Sequence, residues 1–244
     1  MKIAGLQKLT LIDYPQHLAA TVFLVGCNFR CPFCYSAELV LPEKIKSLPL
    51  ISEEDFFDFL KKRKDFLEGV VICGGEPTLN QDLPQFCQQI KKLGYLIKLD
   101  TNGSNPEMLK KLIEQKLIDY VAMDVKAPLG INSQFPITNL QLLKYDRAVG
   151  VKVDLAKIKE SIKIIKDSGV DYEFRTTVVP TIHTAADIYQ LAQEIAPAKR
   201  YYLQKFLPQK TLNPELEKIK PYPDEFLLAI KEKIAGLFEI CEIR

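Results

Sequence analysis

The chain has 244 residues, 47% of them hydrophobic and 26% charged, and its 33 Lys and Arg against 31 Asp and Glu leave a formal net charge of +2. That length can bury a sizeable core, and the composition is that of a globular protein rather than a disordered or fibrous one. A charge so close to zero gives no bulk attraction for nucleic acid or an anionic membrane, so neither is an expected partner.

The opening stretch, "MKIAGLQKLTLIDYPQH", breaks any apolar run with Asp13 and Pro15, unlike a signal peptide, and nothing later approaches the roughly 20 apolar residues of a membrane span. The expected location is cytoplasmic, where thiols stay reduced, and six cysteines are in any case too sparse for a disulfide framework. β-branched and aromatic runs predict strands at 19–25, 69–73, 95–99, 120–125, 172–179 and 200–206, with "FEICEI" near the end as a seventh, edge element. Between them lie amphipathic stretches. The first opens at Ser52 and Asp55 with a capping-box-like pattern, and others cover 82–93, 105–117, 154–168, 184–195 and 223–237.

Strand and helix patterns in alternation predict an α/β fold with a parallel sheet. No repeat, linker or break in composition divides residues 1–244, so a single domain is expected. Residues 127–150 are loop-rich and read either as a lid or docking segment or as a surface excursion with one short helix. In parallel β/α architectures the site lies where strands run into helices. Here those junctions carry Cys27 to Cys34, Gly74 to Pro77, Asp100 to Gly103, Asp124 to Lys126 and Pro180 to Thr184.

The stretch "GCNFRCPFCYS" (26–36) gathers Cys27, Cys31 and Cys34 as C-x3-C-x2-C. Structural zinc wants four ligands, commonly in two pairs, and the chain adds only two distant histidines. Core packing does not suit a loop with Asn28, Arg30 and Pro32. An iron-sulfur cluster suits soft thiolates that converge on one compact object, and three ligands on a four-iron cluster leave one iron open to a substrate.

C-x3-C-x2-C with an aromatic before the last cysteine, after the first strand of a β/α chain, resembles the radical S-adenosylmethionine superfamily. "CGGEPTL" (73–79) is similar to its glycine motif, and "LDTNG" (99–103), "MDVKAP" (123–128) and "EFRTTVVP" (173–180) are similar to its later strand ends. The resemblance implies a partial (β/α)6 barrel of TIM-like type. It also implies a [4Fe-4S] cluster on Cys27, Cys31 and Cys34, whose open iron is chelated by S-adenosylmethionine, and one-electron cleavage of that cofactor to methionine and a 5'-deoxyadenosyl radical. By the same resemblance Phe33 lies against adenine, while Gly74, Gly75, Glu76 and Pro77 meet the methionine amino end, with Glu76 accepting from the ammonium. Asp100, Thr101, Asn102 and Asp124 serve the ribose or a monovalent cation, Lys126 the cofactor carboxylate, and Arg175 the cofactor from the fifth strand.

The N-terminal "LQKLTLIDYPQHLAATVFLVGCNFRCPFC" more narrowly resembles activating proteins of anaerobic ribonucleoside-triphosphate reductase, and more loosely those of pyruvate formate-lyase. This implies a glycyl radical enzyme as protein substrate and flavodoxin or ferredoxin as electron donor. The chain departs from those groups at Gln16, where glycine is common, at "CYSAEL", and at Phe206, where one branch has histidine. Two alternatives stand beside this reading: a radical enzyme acting on a small molecule, like the 7-carboxy-7-deazaguanine synthases, and a non-catalytic iron-sulfur or zinc protein. Cys73, His17 and His183 are read as a buried small residue and two ordinary polar residues near the site loops.

Overall fold

A computed structural model describes residues 1–130 and 139–244. It forms one eight-stranded sheet in the order β1 to β8: Ile3–Thr10, Ala19–Leu24, Gly69–Gly74, Leu96–Thr101, Tyr120–Asp124, Asp171–Val178, Ala198–Lys205 and Phe238–Ile243. Strands β2 through β8 pair in parallel, and β1 pairs antiparallel with β2. The six expected strands are β2 to β7, and "FEICEI" is a full parallel strand, β8. Strand β1 has no counterpart among the predicted elements. Its sequence, IAGLQKLT, alternates poorly because Gln7 and Lys8 are exposed at the sheet edge.

Helices lie where periodicity placed them. Helix Glu53–Lys62 starts at Ser52, whose side chain accepts from Asp55 N, and buries Phe56, Phe57 and Leu60. Asn105, Asp154 and Thr184 cap the helices Pro106–Glu114, Leu155–Asp167 and Ala185–Ile195 in the same way. Of the segment 127–150, read either as a lid or docking segment or as a surface excursion with one short helix, residues 131–138 lie outside the described residues, and a helix, Asn139–Val149, follows them. Among the described residues no helix is long and apolar enough to cross a membrane.

Side chains of a strand alternate between faces, so residues two apart share the barrel interior. The large apolar core lies between sheet and helices, while a smaller cluster of Tyr14, Ala19, Val71, Tyr120 and Ala122 plugs the end where the parallel strands begin. Tyr14 comes from the β1–β2 connection. A Cβ on Gly69 would stand 2.8 Å from its ring, so the glycine opening β3 makes room for the plug. Above the plug, the interior positions turn polar toward the strands' C-terminal ends.

Candidate cofactor-binding site

The C-terminal ends of the parallel strands surround a cavity of about 490 Å³, within the range of roughly 300–1,000 Å³ usual for cofactor sites. Cys27, Cys31 and Cys34 all border it and none is in a disulfide. Backbone bonds position their loop: Gly26 N donates to Leu39 O (2.7 Å), Arg30 N to Val149 O (2.7 Å), and Leu212 N to Cys34 O (2.9 Å). The Arg30 guanidinium adds bonds to Cys27 O (2.6 Å) and Phe29 O (2.7 Å). These polar contacts add to the burial of Phe29 and Phe33 in the core.

Gly74 and Gly75 lie beside it. A Cβ on Gly75 would fall 2.0 Å from Gly26 O, and one on Gly74, at φ +117°, 2.3 Å from Leu24 O. Both glycines border the cavity, but the close approach that forbids a side chain is to the protein's own backbone. Glu76 N completes the contact by donating to Gly26 O at 2.7 Å.

Of the residues expected at the cofactor, Glu76 and Pro77 lie outside the cavity lining. Glu76 is 1% exposed and points away from the cavity, because its acceptors are spent within the chain. Oε1 takes Thr78 N (3.1 Å), Thr78 Oγ1 (2.5 Å) and Thr101 Oγ1 (2.8 Å), and Oε2 takes Asn102 N (2.6 Å). Burial pushes its pKa up despite these donors. It braces the "GGEP" turn against the "TNG" turn. Pro77 begins the short 3-10 turn Pro77–Leu79 and is buried behind the cavity wall.

The "TNG" turn continues the brace to the cysteine loop. Asn102 Nδ2 donates to Asn28 Oδ1 (3.0 Å), and Asn28 Nδ2 to Ser104 Oγ (2.8 Å). Thr101 and Asn102 border the cavity, as do Phe33, Asp100, Asp124, Lys126 and Arg175. Lys126 Nζ stands 5.8 Å from the Phe33 ring centroid and 2.8 Å from Asp124 Oδ2. Arg175 joins the two aspartates, Nε to Asp124 Oδ1 at 2.8 Å and Nη1 to Asp100 Oδ2 at 2.9 Å. Burial disfavours both carboxylates, but Arg175 with Lys98 at Asp100, and Arg175 with Lys126 at Asp124, outweighs it and holds them below the usual range.

Sequence reasoning passed over Lys98, Tyr120, Glu173 and Arg244. Lys98 is buried and bonds Asp100 Oδ1 at 2.5 Å. The fully buried Glu173 accepts from Tyr120 Oη (2.9 Å) and Arg244 Nη1 (3.2 Å). The available signal was a charged residue inside an apolar strand, Lys98 in "YLIKL" and Glu173 in "YEFRTTVV". Cys73 also borders the cavity, with its thiol pushed up to about 12 by burial. His17 lies at the opposite end, against the Tyr14 ring and Glu68, so it does not face the site. His183 is buried with Nδ1 accepting from Val179 N and Nε2 against Lys126 O, which fixes the backbone that carries Lys126.

The donor set fits a soft polynuclear group better than one ion. Among the described residues, no three His, Cys, Asp or Glu side chains gather closely enough to hold a single metal ion, whereas the three thiols face a shared cavity. Burial pushes the Cys27 thiol up to about 11 and the Cys31 thiol to about 12, although Lys126 pulls both down. Ligation there would displace protons, as thiolate coordination requires.

The sequence model described as "Radical SAM superfamily" matches residues 21–195. The chain belongs to that superfamily. A Methanocaldococcus jannaschii protein, provisionally named a glycyl-radical enzyme activating enzyme, is 37% identical over 96% of this chain and 91% of its own length. The 7-carboxy-7-deazaguanine synthase of Aquifex aeolicus is 29% identical over 57% of this chain and 58% of its own. Among solved structures, Streptococcus suis SuiB bound to S-adenosylmethionine superposes with a TM-score of 0.61 at 17% identity, over 91% of this chain and 51% of SuiB. The chain therefore spans most of the archaeal relative but about half of SuiB. The fold is the partial TIM-like barrel of radical SAM enzymes, and the chain is an enzyme of this type.

Proposed function

We propose that the chain holds a [4Fe-4S] cluster on Cys27, Cys31 and Cys34, binds S-adenosylmethionine beside it, and uses both to generate a glycyl radical on a partner enzyme, anaerobic ribonucleoside-triphosphate reductase. When bound, the cluster and S-adenosylmethionine supply reductive cleavage and a hydrogen-abstracting radical. The observation that carries the reading is the convergence of three unpaired thiols and the polar ends of β3 to β6 on one cavity. The full-length likeness to the archaeal relative supports the partner class.

The residues divide the work by chemistry. The Gly74 and Gly75 backbone leaves an uncrowded wall for the methionine end, and Phe33 offers an aromatic face to adenine. Lys126 is available to a carboxylate, its charge secured because Asp124 outweighs the burial that disfavours it. Asp100, Thr101 and Asn102 present acceptors and donors to the ribose side. At the mouth, Tyr35 Oη accepts from Leu207 N at 2.8 Å, and the exposed rings and methyls of Tyr35 and Leu207 give an inserted glycine loop an apolar rim. Flavodoxin or ferredoxin would deliver the electron, in the cytoplasm.

The test is anaerobic reconstitution with iron and sulfide, reduction, and measurement of 5'-deoxyadenosine from S-adenosylmethionine, with Cys31→Ala as control. A glycyl radical signal by electron spin resonance on added reductase supports the full reading. Cofactor cleavage driven by a purine precursor without a protein partner would reassign the substrate to a small molecule. No cleavage from a cluster-loaded protein, with or without the reductase, would refute the activity.

A further inference from the structure

The pair Asp100 and Asp124 is where an alkali ion would be sought, and the geometry leaves that ion no carboxylate oxygen without a cationic partner. Asp100 Oδ1 is taken by Lys98 Nζ (2.5 Å) and Oδ2 by Arg175 Nη1 (2.9 Å). Asp124 Oδ1 is taken by Arg175 Nε (2.8 Å) and Oδ2 by Lys126 Nζ (2.8 Å). Each of the four carboxylate oxygens thus already faces a fixed positive side chain, and the guanidinium spans the gap between the two aspartates.

We propose that Arg175 is the resident cation of this site, a positioning residue that ties Asp100 to Asp124, and that the pair takes no monovalent metal ion. The inference rests on the reading that this cavity receives S-adenosylmethionine, since it concerns how that cofactor's polar surroundings are charged. Two further observations point the same way. Lys98, Arg175 and Lys126 already balance Asp100, Asp124 and the buried Glu173, so an added ion would find no uncompensated carboxylate charge. It would also have to displace a guanidinium whose side chain is only 13% exposed, leaving it to Glu173 at 3.8 Å. Breaking a buried pair in this way strands a charge, which is far costlier than leaving the pair intact. Register explains why a side chain can reach: Asp124 pairs directly with Arg175 across β5 and β6, and Asp100 lies one strand further on, opposite Ala122.

The experiment compares potassium chloride with choline chloride at equal ionic strength. Without cofactor, the melting midpoint of the wild-type protein is expected to agree between the two salts to within about 1 °C, because a folded-state ion site at saturating potassium would raise it by several degrees. With the reconstituted protein, S-adenosylmethionine affinity is expected to differ by less than about twofold. A potassium-specific rise of several degrees, or a tenfold gain in affinity, either one abolished by Asp124→Asn, would overturn the proposal. Arg175→Gln opens the gap, so its midpoint is expected to become potassium-dependent; a folded Arg175→Gln protein indifferent to potassium would also count against the guanidinium as the stand-in. If neither salt supports cofactor binding, the functional reading fails, and the cofactor-free melting comparison still decides this one.

Discussion

Glu76→Ala separates two accounts of the "GGEP" turn. If the carboxylate served the cofactor, its loss would weaken S-adenosylmethionine binding and leave the apo fold nearly unchanged. In the structure it instead accepts four hydrogen bonds, two from the fixed backbone donors Thr78 N and Asn102 N and two from the rotatable hydroxyls of Thr78 and Thr101. The hydroxyls can turn to other acceptors, but the backbone N–H groups cannot. Two buried donors left unmet cost about 1–3 kcal/mol each, which gives about 2–6 kcal/mol before any relief. Relief comes because burial holds the Glu76 pKa above its ordinary value, so ionising it in the folded state is unfavourable and removing the charge recovers part of the loss. A net destabilisation of about 2–4 kcal/mol at neutral pH is the expected result, read as a lower urea midpoint of the cofactor-free protein with unchanged slope. A raised acid pKa contributes stability below the unfolded value and loses it as pH rises, so the penalty should grow as pH falls toward 4.5. An unchanged midpoint together with lost cofactor binding would refute the brace and restore Glu76 as a ligand.

Gly75→Ala would put a methyl group 2.0 Å from Gly26 O, backbone against backbone; it should lower stability by about 3 kcal/mol or more and reduce the iron retained after reconstitution, measured by metal analysis. Tyr14→Ala removes the plug at the far end of the barrel and should cost about 3–5 kcal/mol of stability by urea unfolding, with S-adenosylmethionine affinity per folded molecule unchanged. Burial lowers the His183 pKa from 6.5, so the unfolded chain takes up a proton first and the wild type should lose stability as pH falls below about 6.5; His183→Gln should flatten that limb of the urea midpoint against pH.

The strands were legible because their apolar β-branched runs are long enough to stand out, and the helices because Ser52, Asn105 and Thr184 cap amphipathic periods. The edge strand β1 was not legible: an edge needs only one buried face, and Gln7 and Lys8 hide the alternation. At the site, the motifs supplied many of the residues that border the cavity, from Cys27 to Arg175, but Phe29, Tyr35, Cys73 and Thr177 border it from the same motifs without having been read as site residues. Spacing could not tell which motif residues face inward. Glu76 and Gly75 are neighbours in sequence, yet one borders the cavity and the other turns behind it to satisfy Thr78, Thr101 and Asn102. The charged partners around the motif side chains, Lys98, Glu173 and Arg244, sit beside or within the motifs or at the far end of the chain, and the register of the barrel brings them together.

That register also orders the cysteine loop, beyond what the burial of Phe29 and Phe33 in the core supplies. Its position is relayed through short polar steps: Glu76 fixes the "TNG" turn, Asn102 reaches Asn28 beside Cys27, and Gly75 lets the two backbones touch at Gly26. Val149 O secures the loop from the other side through Arg30 N. Each step is worth only about 0.5–1.5 kcal/mol net, well below the stability of the strand core beneath it, so the loop should open locally before the fold does. Damage to this relay therefore separates from damage to the barrel: the first is felt at the three thiols and the second everywhere. A loop held by these polar steps, with Phe29 and Phe33 packed into the core, is rigid enough to keep three thiols facing one cavity, which suits ligands that must give up protons and accept a metal group after the chain has folded.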